Sequence, residues 1–178
     1  VETQQAEHIE ILDFLRRTAP FTELPEETLG QVAGQVEVAY FKAGSQILNF
    51  GEEISDWYII RSGAVEVFRR NGDLYNRLSE GGFFGEFGLL RNRRVRFPVV
   101  ALEDTLVYLI AEPLFNGLFD NNEAFADIVE VEDRTRLRQA VARREDANEL
   151  MTSRVETLVS REPVCLPVTA TAREAAIR

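Results

Sequence analysis

Apolar residues recur at helical spacing between Glu7 and Arg17, where Ile9, Leu12 and Leu15 line up with Ile11 and Phe14 beside them. The segment predicts an amphipathic helix closed by Pro20-Phe21. A second helix follows from about Pro25, with Leu29, Val32 and Ala33 at i, i+3 and i+4. At Val36 the period drops to two. Val36, Val38 and Tyr40 alternate, Gly44 and Gly51 punctuate, and Ile47-Leu48 begins another short strand. Trp57-Tyr58-Ile59-Ile60 is a β-prone apolar run, Ser62-Gly63 a tight turn, and Val65 and Val67 alternate with Ala64 and Glu66 as a half-buried strand requires. Asn71-Gly72 signals a hairpin because both residues tolerate positive φ. Val99–Ala101 and Val107–Ile110 supply two more strands around Glu103-Asp104, and Pro113 opens a helix through Leu114, Phe115, Leu118 and Phe119. Short strands punctuated by turns at this spacing predict a mainly β, antiparallel sandwich or barrel with helices at both ends.

From Glu123 to Leu150 the pattern predicts one long charged helix, with Phe125/Val129 and Leu137/Val141 as apolar i,i+4 pairs and Glu130/Arg134 and Glu132/Arg136 as ion pairs. Its apolar face is sparse and needs a partner: either a ligand pocket that it covers or the same helix of a second copy, which makes a homodimer through residues 123–150 an expectation. The end of the chain reads as a short strand around Pro163-Val164-Cys165-Leu166-Pro167-Val168 and a helix starting at Thr171. A helix cut off so close to its cap cannot bury a face alone, so the chain is expected to be part of a longer protein.

Composition narrows the chemistry. A length of 178 residues suits one core with an appendage. No apolar run approaches the roughly 20 residues of a membrane-spanning helix, and the first residues lack the basic and apolar regions of a signal peptide, so a cytoplasmic location without membrane contact is expected. One cysteine, Cys165, and one histidine, His8, make neither an internal disulfide nor a zinc set, and no metal site or cofactor is expected. The net charge of −10 opposes DNA binding. The twenty basic residues are nevertheless unevenly placed: nineteen are arginine, and four of these crowd into Arg91-Asn92-Arg93-Arg94-Val95-Arg96. Guanidinium groups at that density suit either a phosphate or carboxylate ligand or a solvated loop pairing with acidic neighbours.

The same region carries the most specific pattern in the chain. The frame L-x-x-G-x-x-F-G-E stands complete as Leu78, Gly81, Phe84, Gly85 and Glu86, followed by Phe87-Gly88-Leu89-Leu90. A glycine-containing turn leading into a short helix presents backbone N–H groups to an anion. This frame resembles the phosphate-binding cassette of cyclic nucleotide-binding domains, and the likeness extends from about Pro20 to Ile110 through Phe21, Leu24, Phe41, Gly44, Ile47, Gly51, Asp56, Tyr58, Ile59, Ile60, Gly63 and Val65. It implies a β-roll of jelly-roll type over residues 1–122. It also implies a site in which Glu86 accepts from a ribose hydroxyl and the N–H groups of Gly85, Phe87, Gly88 or Leu89 face the sugar phosphate of cAMP or cGMP. An arginine then neutralises that phosphate, a charge-assisted pair worth about 1.5–3 kcal/mol.

One position departs from the family. Its arginine falls nine residues after the glutamate, where this chain has Val95, with Arg94 and Arg96 on either side. In extended backbone Arg94 and Arg96 share one face and Val95 takes the other. Arg96, ahead of Arg94, is the candidate to recover the role if the loop bulges. Phe97-Pro98 replaces the family's small or hydroxylated residues with a bulky ring and a residue lacking an N–H.

Residues 150–178 resemble the opening of a CBS domain, of the form M-x…V-x-P-x-x-x-x-x-E-A. The arrangement is similar to bacterial signalling proteins that join a cyclic nucleotide-binding domain to a CBS pair and a nucleotidyltransferase-like domain. The resemblance implies a regulatory sensor that relays nucleotide binding through residues 123–150 to a CBS region starting at 151, with any catalysis beyond Arg178. The alternative is a β-roll that no longer binds a nucleotide and serves as a dimerisation or interaction scaffold.

Overall fold

The computed structural model describes residues 2–132, 134 and 135. The expected helix beyond that point, the pairs Glu132/Arg136 and Leu137/Val141, and the CBS-like segment lie outside the described residues. Eight strands form two four-stranded antiparallel sheets: β1 (Glu37–Phe41), β2 (Gln46–Leu48), β3 (Asp56–Ser62), β4 (Ala64–Phe68), β5 (Leu74–Ser79), β6 (Phe83–Phe84), β7 (Val99–Ala101) and β8 (Thr105–Ala111). One sheet has the order β1-β8-β3-β6 and the other β2-β7-β4-β5. Strands adjacent in sequence thus fall alternately in the two sheets over much of the roll, as in a jelly roll.

Helices close both ends in sequence. They are α1 (Glu2–Arg16) and α2 (Glu26–Ala33) before the strands, α3 (Glu86–Leu89) within the cassette, and α4 (Glu112–Asn121) and α5 (123–132) after β8. α2 begins with Glu26 and Glu27, whose charges suit the positive end of the helix dipole, and it buries Leu29, Val32 and Ala33. Asn122, with extended backbone (φ −134°, ψ 95°), separates α4 from α5.

Alternation along β3 sends Trp57 and Ile59 to one face of the first sheet. There Trp57 is fully buried and meets Phe21, Phe83, Phe115 and Phe125 at ring-centroid distances of 5.4, 5.1, 5.0 and 5.8 Å. These rings come from the turn before α2, from β6, from α4 and from α5. The aromatic cluster therefore fastens the helices to the roll, and Phe125 and Val129 of α5 are completely buried against it.

Two faces differ from the expected ones. In β1, Val38 (42% exposed) and Tyr40 (60% exposed) point to solvent, while Ala39 and Phe41 pack on the core. β1 is an edge strand of its sheet, so the larger residues extend past the ground that the helices cover. In α1 the buried stripe is Ile11, Phe14 and Leu15, with Leu12 half-buried and Ile9 exposed. Phe14 sets this rotation by meeting Tyr108 of β8 edge-on at 5.4 Å.

Candidate functional site

The cassette is a strand, a turn, one short helix and a returning loop. β6 pairs with β3 through Tyr58↔Phe84, and the two rings stack at 4.9 Å. Gly85 then turns the chain with φ +97°, and a Cβ there would meet Ile54 Cδ1 at 2.9 Å. Only glycine fits both the backbone and the space. α3 follows. Within it the N–H groups of Gly88 and Leu89 both donate to the Gly85 carbonyl, at 3.1 and 3.3 Å. Two of the four expected phosphate-facing N–H groups are thus engaged inside the turn.

The returning loop is pinned to residues 51–54. Ile54 N–H donates to the Arg93 carbonyl (3.1 Å), Val95 N–H to the Glu52 carbonyl (2.9 Å), and Gly51 N–H to the Val95 carbonyl (2.8 Å). These bonds fix Val95 side chain inward, where it is 5% exposed. Arg94 points the other way and donates from Nη1 to the Gly51 carbonyl at 3.2 Å. Arg93, with φ +56°, reaches Glu112 at 2.8 Å and Glu53 at 3.8 Å. Pro98 lacks an N–H but contributes its carbonyl, which accepts from Phe68 N–H at 2.8 Å.

Together these elements enclose a cavity of about 40 Å³, lined by Glu86, Phe87, Gly85, Gly88, Val95 and Arg96 of the cassette. Leu48, Ile54, Val67, Tyr75, Asn76, Leu78, Phe84, Phe97 and Val99 complete its wall. Glu86 is the interior acidic group, 4% exposed. Arg96 lines the cavity from an exposed position, its guanidinium 5.1 Å from the Phe87 ring centre and 5.7 Å from that of Phe97. Arg91 also lies over the Phe87 ring, 4.3 Å from its centre. Phe97 itself stacks on Tyr75 at 4.4 Å with the planes 10° apart, and Phe87 meets it edge-on at 5.4 Å. An ordinary small-molecule site has about 300–1,000 Å³. At about 40 Å³ the cavity does not hold a nucleotide as it stands.

The structure therefore gathers Gly85, Glu86, Phe87, Gly88 and Arg96 around one cavity and leaves two of the expected residues outside it. Leu89 is buried in the core, and Arg94 is held by Gly51. Residues 91–98 form a loop apart from a bridge between Arg94 and Glu53, with Arg94 and Arg96 exposed on either side of the buried Val95 and Arg96 at the rim. Tyr75 and Asn76 went unnoticed in the sequence. They lie on β5, the return strand of the Asn71-Gly72 hairpin, and pairing it back onto β4 would have placed Asn76 opposite Val67, with Tyr75 at the register shift beside it.

Known proteins fit this geometry. Residues 38–122, which hold the β-roll and its cassette, match the family model of the cyclic nucleotide-binding domain. Among curated proteins the chain is similar to cGMP-dependent protein kinase 2 of Mus musculus, 29% identical over 134 residues that cover 70% of this chain and 18% of the kinase. Among solved structures it resembles cAMP-bound PfPKA-R, with a TM-score of 0.70 and 17% identity over 78% of this chain and 48% of that one. It also resembles the regulatory subunit of a cAMP-independent protein kinase A from Trypanosoma cruzi bound to guanosine, with a TM-score of 0.58 and 22% identity over 75% and 52% of the two chains. The chain spans less than a fifth of the mouse kinase and about half of the two solved chains. Among the described residues no helix is long and apolar enough to cross a membrane, and no group of acidic, histidine or cysteine side chains could hold a metal ion.

Proposed function

We propose that this domain is the regulatory sensor of a signalling protein, and that it binds a cyclic nucleotide or a related anionic nucleotide in the cassette cavity. The observation that carries the reading is Glu86: an acidic side chain buried at the start of α3, lining a cavity whose rim holds Arg96. A carboxylate at the start of the cassette helix, on the cavity wall, is suited to accept hydrogen bonds from sugar hydroxyls. The guanosine-bound T. cruzi regulatory subunit supports extending the ligand class beyond cAMP and cGMP.

The output runs through α5. Phe125 and Val129 rest on the Trp57 cluster, whose other face is the sheet that supports β6 and the cassette turn. A ligand that binds one placement of α5 more tightly shifts the population toward it, and the shift passes to the residues that follow, which we read as a CBS region with further domains behind it.

The closed cavity supports a second reading. Phe97 against Tyr75 leaves about 40 Å³, and Val95 occupies the place of the family's arginine. On that reading the roll is a scaffold for dimerisation or protein contact. Calorimetric titration of the chain with cAMP, cGMP and their open-chain relatives separates the two. Heat that disappears in Glu86→Ala supports the sensor. Absence of heat and of any thermal shift at millimolar ligand leaves the scaffold.

A further inference from the structure

A second opening lies on the flank of the roll, where the end of α1, the β5–β6 turn and α5 meet. It is a groove of about 530 Å³, within the range of small-molecule sites, against about 40 Å³ for the cassette cavity. Local structure builds two of its walls. Thr18 closes α1 by donating its hydroxyl to the Phe14 carbonyl at 2.8 Å, and a Cβ at Gly81 would stand 3.8 Å from Thr18 Cγ2, so the turn runs close beside the helix end. The third wall carries Ile128 of α5, half-buried and outside the core that its neighbours Phe125 and Val129 join.

The lining combines an apolar floor, Phe14, Leu78 and Phe83, with charges of both signs. Arg77 is already engaged by Glu66 at 2.8 Å. Arg17 is not: it donates through Nε to the Asp13 carbonyl of its own helix at 3.0 Å, and its two terminal nitrogens have no partner among the described residues. Glu80, on the turn, forms no hydrogen bond or ion pair among the described residues, and Glu132 adds a second carboxylate from α5. An uncommitted guanidinium and an uncommitted carboxylate thus share one groove without pairing with each other. A ligand with a single charge would meet an opposing group as well as a complementary one, whereas a zwitterion satisfies both.

We propose that this groove is a second ligand site, which takes an apolar amino acid or dipeptide as its zwitterion, with the carboxylate on Arg17, the ammonium on Glu80 and the side chain against Phe14, Leu78 and Ile128. The free edge of a guanidinium receives both carboxylate oxygens at once. The site is also placed to regulate. Arg17 and Glu80 belong to α1 and the β5–β6 turn, but Ile128 belongs to α5, so the ligand's affinity depends on where α5 sits and its binding favours the docked placement. Leu78 lines the groove and the cassette cavity alike, so an occupant of one bears on the wall of the other.

The test is calorimetric titration of the whole chain with L-phenylalanine and leucylphenylalanine, and with two derivatives of phenylalanine that each lack one charge: the amide, a cation, and the N-acetyl form, an anion. The expected result is that the zwitterions bind roughly threefold more tightly than either derivative, the scale of an exposed ion pair, with an advantage that shrinks as salt rises. Arg17→Gln should erase the advantage of phenylalanine over its amide, and Glu80→Gln its advantage over the N-acetyl form; both positions are exposed. The ligand series needs no variant, so it decides the matter even where a variant fails to fold. Equal affinity for all the phenylalanine forms, tighter binding of the amide or the N-acetyl form, or no binding at millimolar ligand overturns the proposal. Amide exchange locates the site: phenylalanine should slow exchange at 77–83 and across 123–132. Protection confined to 85–98 would put the ligand in the cassette and overturn the groove, and protection at 77–83 without any at 123–132 would overturn its coupling to α5.

Discussion

At position 88 a Cβ would stand 2.8 Å from Ile54 Cγ2 and 3.0 Å from the Arg94 carbonyl, so this one residue sets how closely α3 and the returning loop approach. Gly88→Ala must push Ile54 or the loop, and overpacking of that kind costs about 1–3 kcal/mol. Urea denaturation should show the loss. Gly117, inside α4 with nothing within 4 Å of its Cβ position, is the contrast: Gly117→Ala should gain roughly 0.5–1 kcal/mol from helix propensity in the same assay. Phe97 is a residue of a different kind, since it occupies space that a ligand needs. Phe97→Ala should open the cavity and strengthen binding of whichever nucleotide the titrations identify, by about tenfold if the Tyr75 stack is what must be broken, because a stacked aromatic pair is worth about 0.5–1.5 kcal/mol beyond its buried area. Weaker binding in that variant would mean that the Phe97 ring itself holds the ligand. Glu86 and the inward turn of Val95 were readable in the sequence, the first from the F-G-E frame and the second from its displacement relative to Arg94 and Arg96. The place of Arg96 was not, because it depends on a loop conformation held by hydrogen bonds to residues 51–54, about forty residues earlier in the chain.

Among the elements, α5 is the one whose attachment matters most for any output. Phe125 meets Phe21 at 5.9 Å and Trp57 at 5.8 Å and is completely buried. Phe125→Ala removes those contacts at a cost of about 3–5 kcal/mol, more than a single surface helix can lose and stay docked. Amide exchange should speed up across 123–132 while β3 and β8, paired along most of their length, keep their protection. Uniform acceleration everywhere would show instead that α5 is part of one cooperative unit with the roll. The elements that periodicity made legible were those with a clear two-sided pattern or a sharp boundary: α2, β4, β7, β8 and α4. β5 was missed because Leu74–Ser79 mixes one buried ring, Tyr75, with polar and exposed neighbours and never shows a clean alternation. β6 was missed because two residues carry no period at all. The exposure of Val38 and Tyr40 could not be read from alternation either, since alternation gives two faces and only the placement of the helices decides which one is covered.

For the whole molecule, pH stability has a definite sign on the alkaline side. Burial, and then the nearby Asp56 and Glu52, push the Tyr58 hydroxyl above its ordinary value of 10.0, and burial pushes Tyr108 the same way against the opposing pull of Arg61. The folded protein holds both protons to higher pH than the unfolded chain does. Their contribution is therefore complete below pH 10 and declines as pH rises through the folded-state values. Denaturant midpoints should fall above pH 10, and Tyr58→Phe should flatten part of that fall; an unchanged slope would show that Tyr58 ionises alike in both states. The same global view gives Trp57 a further meaning. It is the chain's one tryptophan, fully buried, and its neighbours come from four separate segments, α5 among them. Its fluorescence thus reports selectively on the seam between the roll and α5, with no label introduced. Emission that shifts to longer wavelength on adding ligand would record α5 lifting from the roll, and the midpoint of that shift would give the affinity and the coupling in one measurement.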